Sequence, residues 1–261
     1  MIGVVGLLVR DTVDGGAPRV GGAAYYCARA LAVLGQPAVV VTKYGVADSR
    51  LAAPFHGLGV RIESRPASST VGFRIDNRPG GRLMMLEDAG EPWTPAEMSG
   101  WVGEALRGVE WVHAGALTRA DFPPETLAEL ARSRTVSLDG QGLVRRPRVG
   151  LLEQDREFDP EVLRHVSIVK LSEEEAAVLD LAAVTVPEII VTLGFRGAIV
   201  YAEGREEYVG TRALDLPDPT GAGDSFAAAY LLARSTGQDP FEAAASANVV
   251  TRGLLSRWRG R

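Results

Sequence analysis

The stretch that decides the fold is DLPDPTGAGDSFAAAYLLARS, residues 215–235, near the end of the printed chain. Gly221 and Gly223 flank Ala222 directly before a run of small and apolar residues that predicts a buried helix. The first N–H groups of a helix have no acceptor within the helix, and the helix dipole adds partial positive charge there. Because the loop carries almost no side chains, an anion can approach its backbone closely. The stretch therefore predicts an anion site at a helix N-terminus.

Asp224 follows this loop on the first turn of the predicted helix. An ionised carboxylate there can accept the proton of a substrate hydroxyl that attacks phosphorus, and its position matters more than its base strength. A plainer interpretation makes Asp224 a favourable first-turn acid beside a tight turn. That interpretation does not explain both glycines. A dinucleotide-binding G-x-G-x-x-G loop is disfavoured because Phe226 stands at the third glycine position, and a Walker A motif is missing.

The composition is typical of a globular protein with a core to bury: 46% of the 261 residues are hydrophobic and 23% are charged. We expect one domain over residues 1–261. The net charge of −5 disfavours a nucleic-acid partner. A single cysteine, Cys27, excludes an internal disulfide and indicates the cytoplasm. No apolar run reaches the length of a membrane span, so no membrane partner is expected.

Short β-branched runs alternate with helical patterns, which predicts an α/β fold with a mostly parallel sheet covered by helices. The predicted strands lie at 2–9, 37–43, 109–117, 135–140, 166–171, 188–194 and 197–203. The predicted helices lie at 23–35, 94–108, 123–133, 172–181, 224–234 and 240–255.

Residues 60–88 break this alternation. The runs STVGFRID (69–76) and GRLMMLED (81–88) flank the turn NRPGG (77–81), which predicts a hairpin without a helix. Such a ribbon is either a decoration of the surface or a lid over a site, and its length alone does not separate the two.

The run DPTGAGDSF, residues 218–226, resembles the C-terminal signature of the ribokinase-like (PfkB-type) carbohydrate kinases, D-T-x-G-A-G-D-x-F. The resemblance implies a three-layer α/β/α sandwich with a small β lid, ATP as phosphoryl donor, and Mg²⁺. It makes Asp224 the catalytic base and the backbone of Gly221, Ala222 and Gly223 the anion hole. Asp218 and Thr220 match positions that bind a monovalent cation such as K⁺ in some members.

Two further segments match the family's nucleotide side. VTLGFRGAIVY, Val191–Tyr201, is similar to the segment along the nucleotide, which assigns Thr192, Gly194 and Gly197 to nucleotide binding; alone it would read as an ordinary strand–turn–strand. Asn248 matches a position near the adenine. The family's closing G-A-x-x-S-x-P stretch is replaced by SRWRGR, which leaves K⁺ dependence open.

The segment IVKLSEEEA, Ile168–Ala176, is similar to the family's N-x-x-E segment. By this resemblance Glu175 organises the magnesium waters and Lys170 contributes to cofactor binding. Ser172 stands in place of the asparagine. Ser172 and Glu175 also have the spacing of a helix capping box, and the two roles are compatible.

The N-terminal half matches the family's acceptor side. Gly21 and Gly22 fit the first family signature, but Tyr26 occupies its asparagine position, which implies a different acceptor contact. Asp11 matches an aspartate that binds sugar hydroxyls, and a carboxylate can accept from two adjacent hydroxyls. The run SLDGQGLVRR, Ser137–Arg146, is similar to an inositol-kinase-like branch. Its residues Asp139, Gln141 and Arg145 carry this resemblance, together with Thr70, Phe73, Gly81 and Arg82.

The sequence therefore predicts an ATP-dependent kinase that phosphorylates a hydroxyl of a sugar or cyclitol such as myo-inositol. A nucleoside kinase is the first alternative, favoured if Tyr25, Tyr26 or Phe73 stacks on a base. A non-catalytic sugar or nucleotide sensor on the same fold is the second. Lid segments are expected at about 9–20 and 60–88, with a homodimer formed through the lid.

Overall fold

The computed structural model describes residues 1–79, 81–212 and 220–258, so Asp218 lies outside the described residues. The strands in this part of the chain are β1 Ile2–Gly6, β2 Val9–Val13, β3 Arg19–Gly21, β4 Ala38–Gly45, β5 Arg61–Ala67, β6 Val71–Arg78, β7 Gly81–Asp88, β8 Trp111–Gly115, β9 Thr135–Asp139, β10 Gly150–Leu151, β11 Ile168–Ser172, β12 Glu188–Thr192, β13 Gly197–Ala202 and β14 Arg205–Gly210. The helices are α1 Ala23–Val33, α2 Ala53–His56, α3 Pro95–Glu97, α4 Gly103–Ala105, α5 Pro124–Leu130, α6 Gln141–Val144, α7 Glu173–Val178, α8 Ala222–Ser235 and α9 Pro240–Trp258, and a π-helical segment, Met98–Val102, joins α3 to α4.

In the described residues, nine strands form a large sheet in the order β14-β13-β12-β11-β9-β8-β1-β4-β5. The strands from β12 to β5 in this order pair in parallel, whereas β13 and β14 run antiparallel at one edge. Every strand run predicted from the periodicity contains an observed strand. The central strands are buried on both faces, as in the all-buried pattern of β1, because helices cover both sides.

Two hydrophobic clusters lie on opposite faces of the large sheet. One contains residues of α1, α2, α8 and α9, and the other contains residues of the segments that lead from α3 to α7. The small residues of α8, Ala227 to Ala229, are buried and let it pack closely between α1 and α9. The predicted three-layer α/β/α architecture is confirmed.

A smaller sheet lies beside the large one, in the order β10-β7-β6-β2-β3 among the described residues. Its inner residues Phe73, Ile75 and Leu86 belong to the same hydrophobic cluster as residues of the large sheet. The predicted lid segment 60–88 is corrected here: β5 pairs with β4 at the edge of the large sheet, and only β6 and β7 form the lid hairpin. The run of β5 and the run of the hairpin are both extended and polar on one side, and only long-range strand pairing assigns them to different sheets.

Among the helices of the described residues, none is both long enough and apolar enough to cross a membrane.

Candidate active site

A cavity of ≈ 430 Å³, called the large cavity below, opens between the carboxyl ends of the parallel strands and the lid sheet. Ligands of open α/β sheets bind at this edge. The large cavity brings together most of the predicted site residues: Asp11, Gly22, Tyr26, Gln141, Arg145, Lys170, Glu175, Thr192, Gly194, Thr220, Gly221, Gly223 and Asp224.

Asp224 lies on the first turn of α8, whose N-cap is Gly221, and its carboxylate is half-buried at the wall of the large cavity. Burial, and the neighbouring charge of Asp139, raise the pKa of Asp224 to about 6, although the cationic side chains around it act in the opposite direction. A carboxylate with this pKa is ionised at neutral pH and is a stronger base than an ordinary aspartate. It can therefore accept a hydroxyl proton there.

The loop before Asp224 is shaped by Tyr26. Gly221 has a left-handed φ of 81°, and a Cβ at this position would overlap the ring of Tyr26. The predicted departure from the family pattern at Tyr26 thus has a structural role, because the ring packs under the Gly221–Gly223 loop and also reaches the large cavity. This loop is the predicted anion site and is called the anion loop below. Next to this loop, Arg82 of the lid donates to Thr220 Oγ1 at 3.3 Å.

Asp11, on β2 of the lid sheet, is buried and lines the large cavity. Burial raises the pKa of Asp11 to about 6, partly offset by Arg19, Arg82 and Arg145. Gly21, on the neighbouring β3, has no room for a Cβ because the carboxylate of Asp11 fills that space. Gly21 itself does not line the cavity, so its role is to make room for Asp11.

Arg145 links Gln141 to Glu175 at the wall of the large cavity. Its Nη1 donates to Gln141 Oε1 at 2.6 Å, and its Nη2 lies 3.8 Å from Glu175 Oε1. Glu175 is the N3 residue of the predicted capping box: the N–H of Ser172 donates to Glu175 Oε2 at 2.9 Å, and the N–H of Glu175 donates to Ser172 Oγ at 3.2 Å. The capping box orients a buried carboxylate toward the large cavity.

A second cavity of ≈ 190 Å³, called the small cavity, lies on the other side of the Gly221–Gly223 loop. Its lining includes Gly197, Ala222 and Asn248, which do not line the large cavity, together with Thr192, Gly194 and Gly223, which line both. The remaining wall is mostly apolar or cationic and consists of Phe195, Thr211, Arg212, Phe226, Thr251, Arg252 and Leu255. The amide Nδ2 of Asn248 donates to the carbonyl of Val209 at 2.9 Å, which ties α9 to β14.

Sequence reasoning missed three features of the site. The lid contributes an apolar wall of Ile75 and Met84, and no short motif marks it. The hydroxyl of Thr251 is buried without a hydrogen-bond partner in the part of the chain that the structure describes. His113 of β8 lies buried beside Asp139 beneath the cavity. A polar residue inside the apolar strand run 109–117 was the one available signal for it.

A family model described as pfkB family carbohydrate kinase matches residues 11–252. The chain belongs to the pfkB family. The match covers the Gly221–Asp224 loop and every residue that lines the large cavity except Val9, so the family resemblance found in the sequence is confirmed.

Among curated proteins, the chain is similar to inositol 3-kinase of Zea mays, with 34% identity over 140 residues. These residues are 51% of this chain and 37% of the maize enzyme, so the chain matches little more than a third of that relative's length.

Two solved structures show the same fold. A pyrophosphate-dependent kinase in the ribokinase family, complexed with a pyrophosphate analog and myo-inositol, superposes with a TM-score of 0.83 at 24% identity, covering 98% of this chain and 95% of the other. An uncharacterized sugar kinase from Pyrococcus horikoshii in complex with ATP gives a TM-score of 0.75 at 20% identity, covering 97% and 91%. The pfkB chain described here has the ribokinase-like fold.

Proposed function

We propose that this protein transfers the γ-phosphoryl group of ATP to a hydroxyl of a cyclitol or sugar, with myo-inositol as the first acceptor to test. The observation that carries the proposal is the arrangement of two carboxylates in one cavity. Asp11 lies on the lid side and Asp224 lies at the anion loop, and both line the large cavity. One can orient a polyol while the other accepts the proton of the attacking hydroxyl.

The acceptor would lie between a polar and an apolar wall. Asp11, Gln141 and Arg145 supply hydrogen-bonding groups, whereas Phe73, Ile75 and Met84 of the lid supply an apolar surface. A ring with hydroxyls around its edge and C–H groups on its face suits both walls. The lid also covers the site against water, which would compete with the acceptor for the phosphoryl group.

In the proposed reaction Asp224 accepts the proton of the acceptor hydroxyl as its oxygen attacks the γ-phosphorus. The bond between that phosphorus and the β,γ-bridging oxygen breaks, and ADP leaves with the electron pair. The N–H groups of the Gly221–Gly223 loop face the charge that develops on the transferred group. Arg145 interacts with Glu175 and with Asp11, so it can hold both carboxylates in place around the acceptor.

The small cavity supports a nucleotide as the donor. Its wall is mostly apolar, and it adjoins the anion loop. The unpartnered hydroxyl of Thr251, within the described residues, offers a hydrogen bond to a base edge. Pyrophosphate, on which one of the solved kinases depends, would leave this cavity empty. Donor preference therefore depends on whether the small cavity is used.

The fold family implies magnesium. In the described residues no group of three or more His, Cys, Asp or Glu side chains is arranged to hold a metal ion. That fits an ion bound mainly through phosphate oxygens and waters, as magnesium often is. Glu175, with one oxygen held by Ser172 and the other toward Arg145, would hold such waters. When bound, magnesium neutralises charge on the donor phosphates.

The test is product formation with two donors and a panel of acceptors. ATP and pyrophosphate are each supplied with magnesium and with myo-inositol, ribose, fructose, 2-keto-3-deoxygluconate, adenosine or cytidine. We expect acceptor-dependent ADP release with a cyclitol or sugar. Turnover with adenosine or cytidine alone would establish the nucleoside alternative. ATP binding by calorimetry without turnover on any acceptor would contradict the kinase and favour the sensor.

We also propose a cytoplasmic homodimer that forms through the lid. Strands β3 and β10 are the edges of the lid sheet, and edge strands offer unpaired backbone groups to a partner. Val149 and Leu151, at the β10 edge, are 61% and 55% exposed. Light scattering of the wild type beside Leu151→Lys would test this: the dimer proposal requires a twofold mass that the substitution reduces.

A further inference from the structure

Only two of the 28 basic residues of the chain are lysines, Lys43 and Lys170, and both are buried in ion pairs of equal length. Lys43 Nζ lies 3.0 Å from Glu97 Oε1, and Lys170 Nζ lies 3.0 Å from Asp139 Oδ1. Lys43 also donates to the carbonyl of Pro92 and lies away from both cavities. Lys170 lines the large cavity. The two pairs share the same N···O distance, although Lys43 also donates to both oxygens of Glu97, and only the Lys170 pair is at the site.

Asp139 is fully buried at the end of β9, and so is His113 on the neighbouring β8. Within the described residues neither oxygen of Asp139 has a well-aligned hydrogen bond. Its compensation is the ammonium of Lys170 and, 3.7 Å from Oδ2, the Nε2 of His113. The other ring nitrogen of His113 is 3.2 Å from Ser137 Oγ. Burying an incompletely bonded carboxylate is costly, so its presence here suggests a function.

The Lys170 ammonium lies directly beneath the anion loop. A Cβ at Gly223 would be only 3.1 Å from Lys170 Nζ, so the absence of a side chain at Gly223 leaves the loop backbone against the charge. The same ammonium interacts electrostatically with Asp224 and Glu175. Lysine presents a compact point charge that a planar guanidinium would not reproduce in this space.

We propose that Asp139 is a positioning residue: braced by His113, it holds the Lys170 ammonium beneath the Gly221–Gly223 loop, where this charge acts on Asp224 and on the phosphoryl group in transfer. The inference rests on the proposed kinase reaction for its catalytic part. Its electrostatic part, the effect of the Lys170 charge on Asp224, can be measured on the protein without any substrate.

The charges around Asp224 determine how its pKa should respond when Asp139 or Lys170 is replaced. The groups that face it are Asp139, Lys170, His113 and Arg145, together with Cys27, whose Sγ donates to the Asp224 carbonyl at 3.3 Å. Burial raises the pKa of the Cys27 thiol well above its usual range, so the thiol is neutral. Asp139 raises the pKa of Asp224 and Lys170 lowers it. Removing the charge of Asp139 and removing that of Lys170 must therefore shift the pKa of Asp224 in opposite directions.

Asp139 itself stays ionised. Burial opposes its charge, but Lys170 and His113 outweigh burial and lower the pKa of Asp139 to about 2. Asp139, Glu175 and Asp224 in turn raise the pKa of Lys170 in spite of its burial. The pair is therefore charged over the whole working pH range.

The experiment compares Asp139→Asn with Glu97→Gln, the same carboxylate-to-amide change at the partner of the other buried lysine. The acid limb of kcat/KM and the pKa of Asp224, read by NMR of its side-chain carboxyl carbon, are measured for both. We expect Asp139→Asn to lower kcat by about tenfold. Loss of the Asp139 charge alone lowers the pKa of Asp224, whereas release of the Lys170 ammonium from the loop, which the inference requires, opposes that drop. A lowered pKa of Asp224 with an unchanged kcat would therefore overturn the positioning role. Glu97→Gln should lower Tm and leave the pKa of Asp224 and kcat unchanged.

A lower Tm in Asp139→Asn with an unchanged Asp224 pKa and kcat would overturn the inference, since that is what a structural pair predicts. If Asp139→Asn does not fold, the neutral pair Asp139→Asn/Lys170→Met replaces it. That double variant supports the inference if kcat falls at least about tenfold, and overturns it if kcat is retained. A wild type inactive with every acceptor refutes the proposed function, while the NMR titration still decides the electrostatic part.

Discussion

The ring of Tyr26 occupies the space that a side chain at Gly221 would need, so one aromatic residue of α1 fixes the backbone of the anion loop at the start of α8. Gly221 also has a left-handed φ of 81°, which costs an ordinary residue about 1 kcal/mol. Conformation and packing therefore both require glycine at this position.

We expect Gly221→Ala to lower kcat/KM by about 100-fold or more, because the loop must move away from the developing charge. Gly237→Ala is the matched control: its φ is 94°, but nothing lies within 4 Å of its Cβ position. The control should lose stability alone. Steady-state kinetics and thermal unfolding of both variants distinguish the two effects, and equal activity of the two would refute the role given to the loop.

The two capping boxes of the described residues allow a second comparison. Thr94 and Glu97 form one at α3, and Ser172 and Glu175 form the other at α7. Thr94→Ala and Ser172→Ala should each destabilise the fold by about 1 kcal/mol. Only Ser172→Ala should also reduce kcat and raise the magnesium concentration needed for half-maximal rate. The Glu175 N–H loses its acceptor, Ser172 Oγ, so the helical turn that carries the Glu175 carboxylate loosens, although the Ser172 N–H still donates to Glu175 Oε2. An identical magnesium dependence in both variants would contradict the role proposed for Glu175.

Activity should fall as the pH drops through about 6, because burial raises the pKa values of both Asp11 and Asp224 to about 6. Each must be ionised, the first to accept hydrogen bonds from the acceptor and the second to accept its proton. The acid limb of log kcat/KM should therefore approach a slope of two. In Asp11→Asn the slope should fall to one with a raised KM, and a slope of two in that variant would show that another group titrates.

The lining of the small cavity allows a prediction about the phosphoryl donor. Thr251→Val removes the unpartnered hydroxyl and keeps the shape, so it should raise the KM for ATP several-fold, in line with the loss of one hydrogen bond of about 1 kcal/mol. Thr251→Trp should fill the cavity and abolish ATP use. Any pyrophosphate-dependent activity should survive both changes, whereas its loss in parallel with the ATP activity would place both donors in this cavity.

Local sequence patterns predicted the parts of the molecule that are determined locally. The parallel strands follow from β-branched runs such as IGVVG, and the anion loop follows from Gly221, Gly223 and the helix behind them. The capping role of Ser172 was likewise predictable, because its partner is three residues away. These features need no knowledge of distant contacts.

The remaining features depend on long-range pairing. β5 and β6 have similar extended patterns, and only the pairing of β5 with β4 assigns β5 to the large sheet. Likewise, the sequence placed Tyr26 at the acceptor, but only the packing of α1 against α8 shows that its ring supports Gly221. The contact between Lys170 and Asp139 joins neighbouring strands that are separated by a helical crossover, so no local pattern could reveal it.

The most direct test is formation of a phosphate ester from ATP, magnesium and myo-inositol, followed by phosphorus NMR, with wild type and Asp224→Asn compared in parallel. We predict acceptor-dependent ester formation by the wild type. In Asp224→Asn we predict a fall in kcat of about 100-fold or more, with unchanged thermal unfolding and ATP affinity. Near-normal turnover by the Asn variant would contradict the assignment of Asp224 as the base, and with it the central claim of this mechanism.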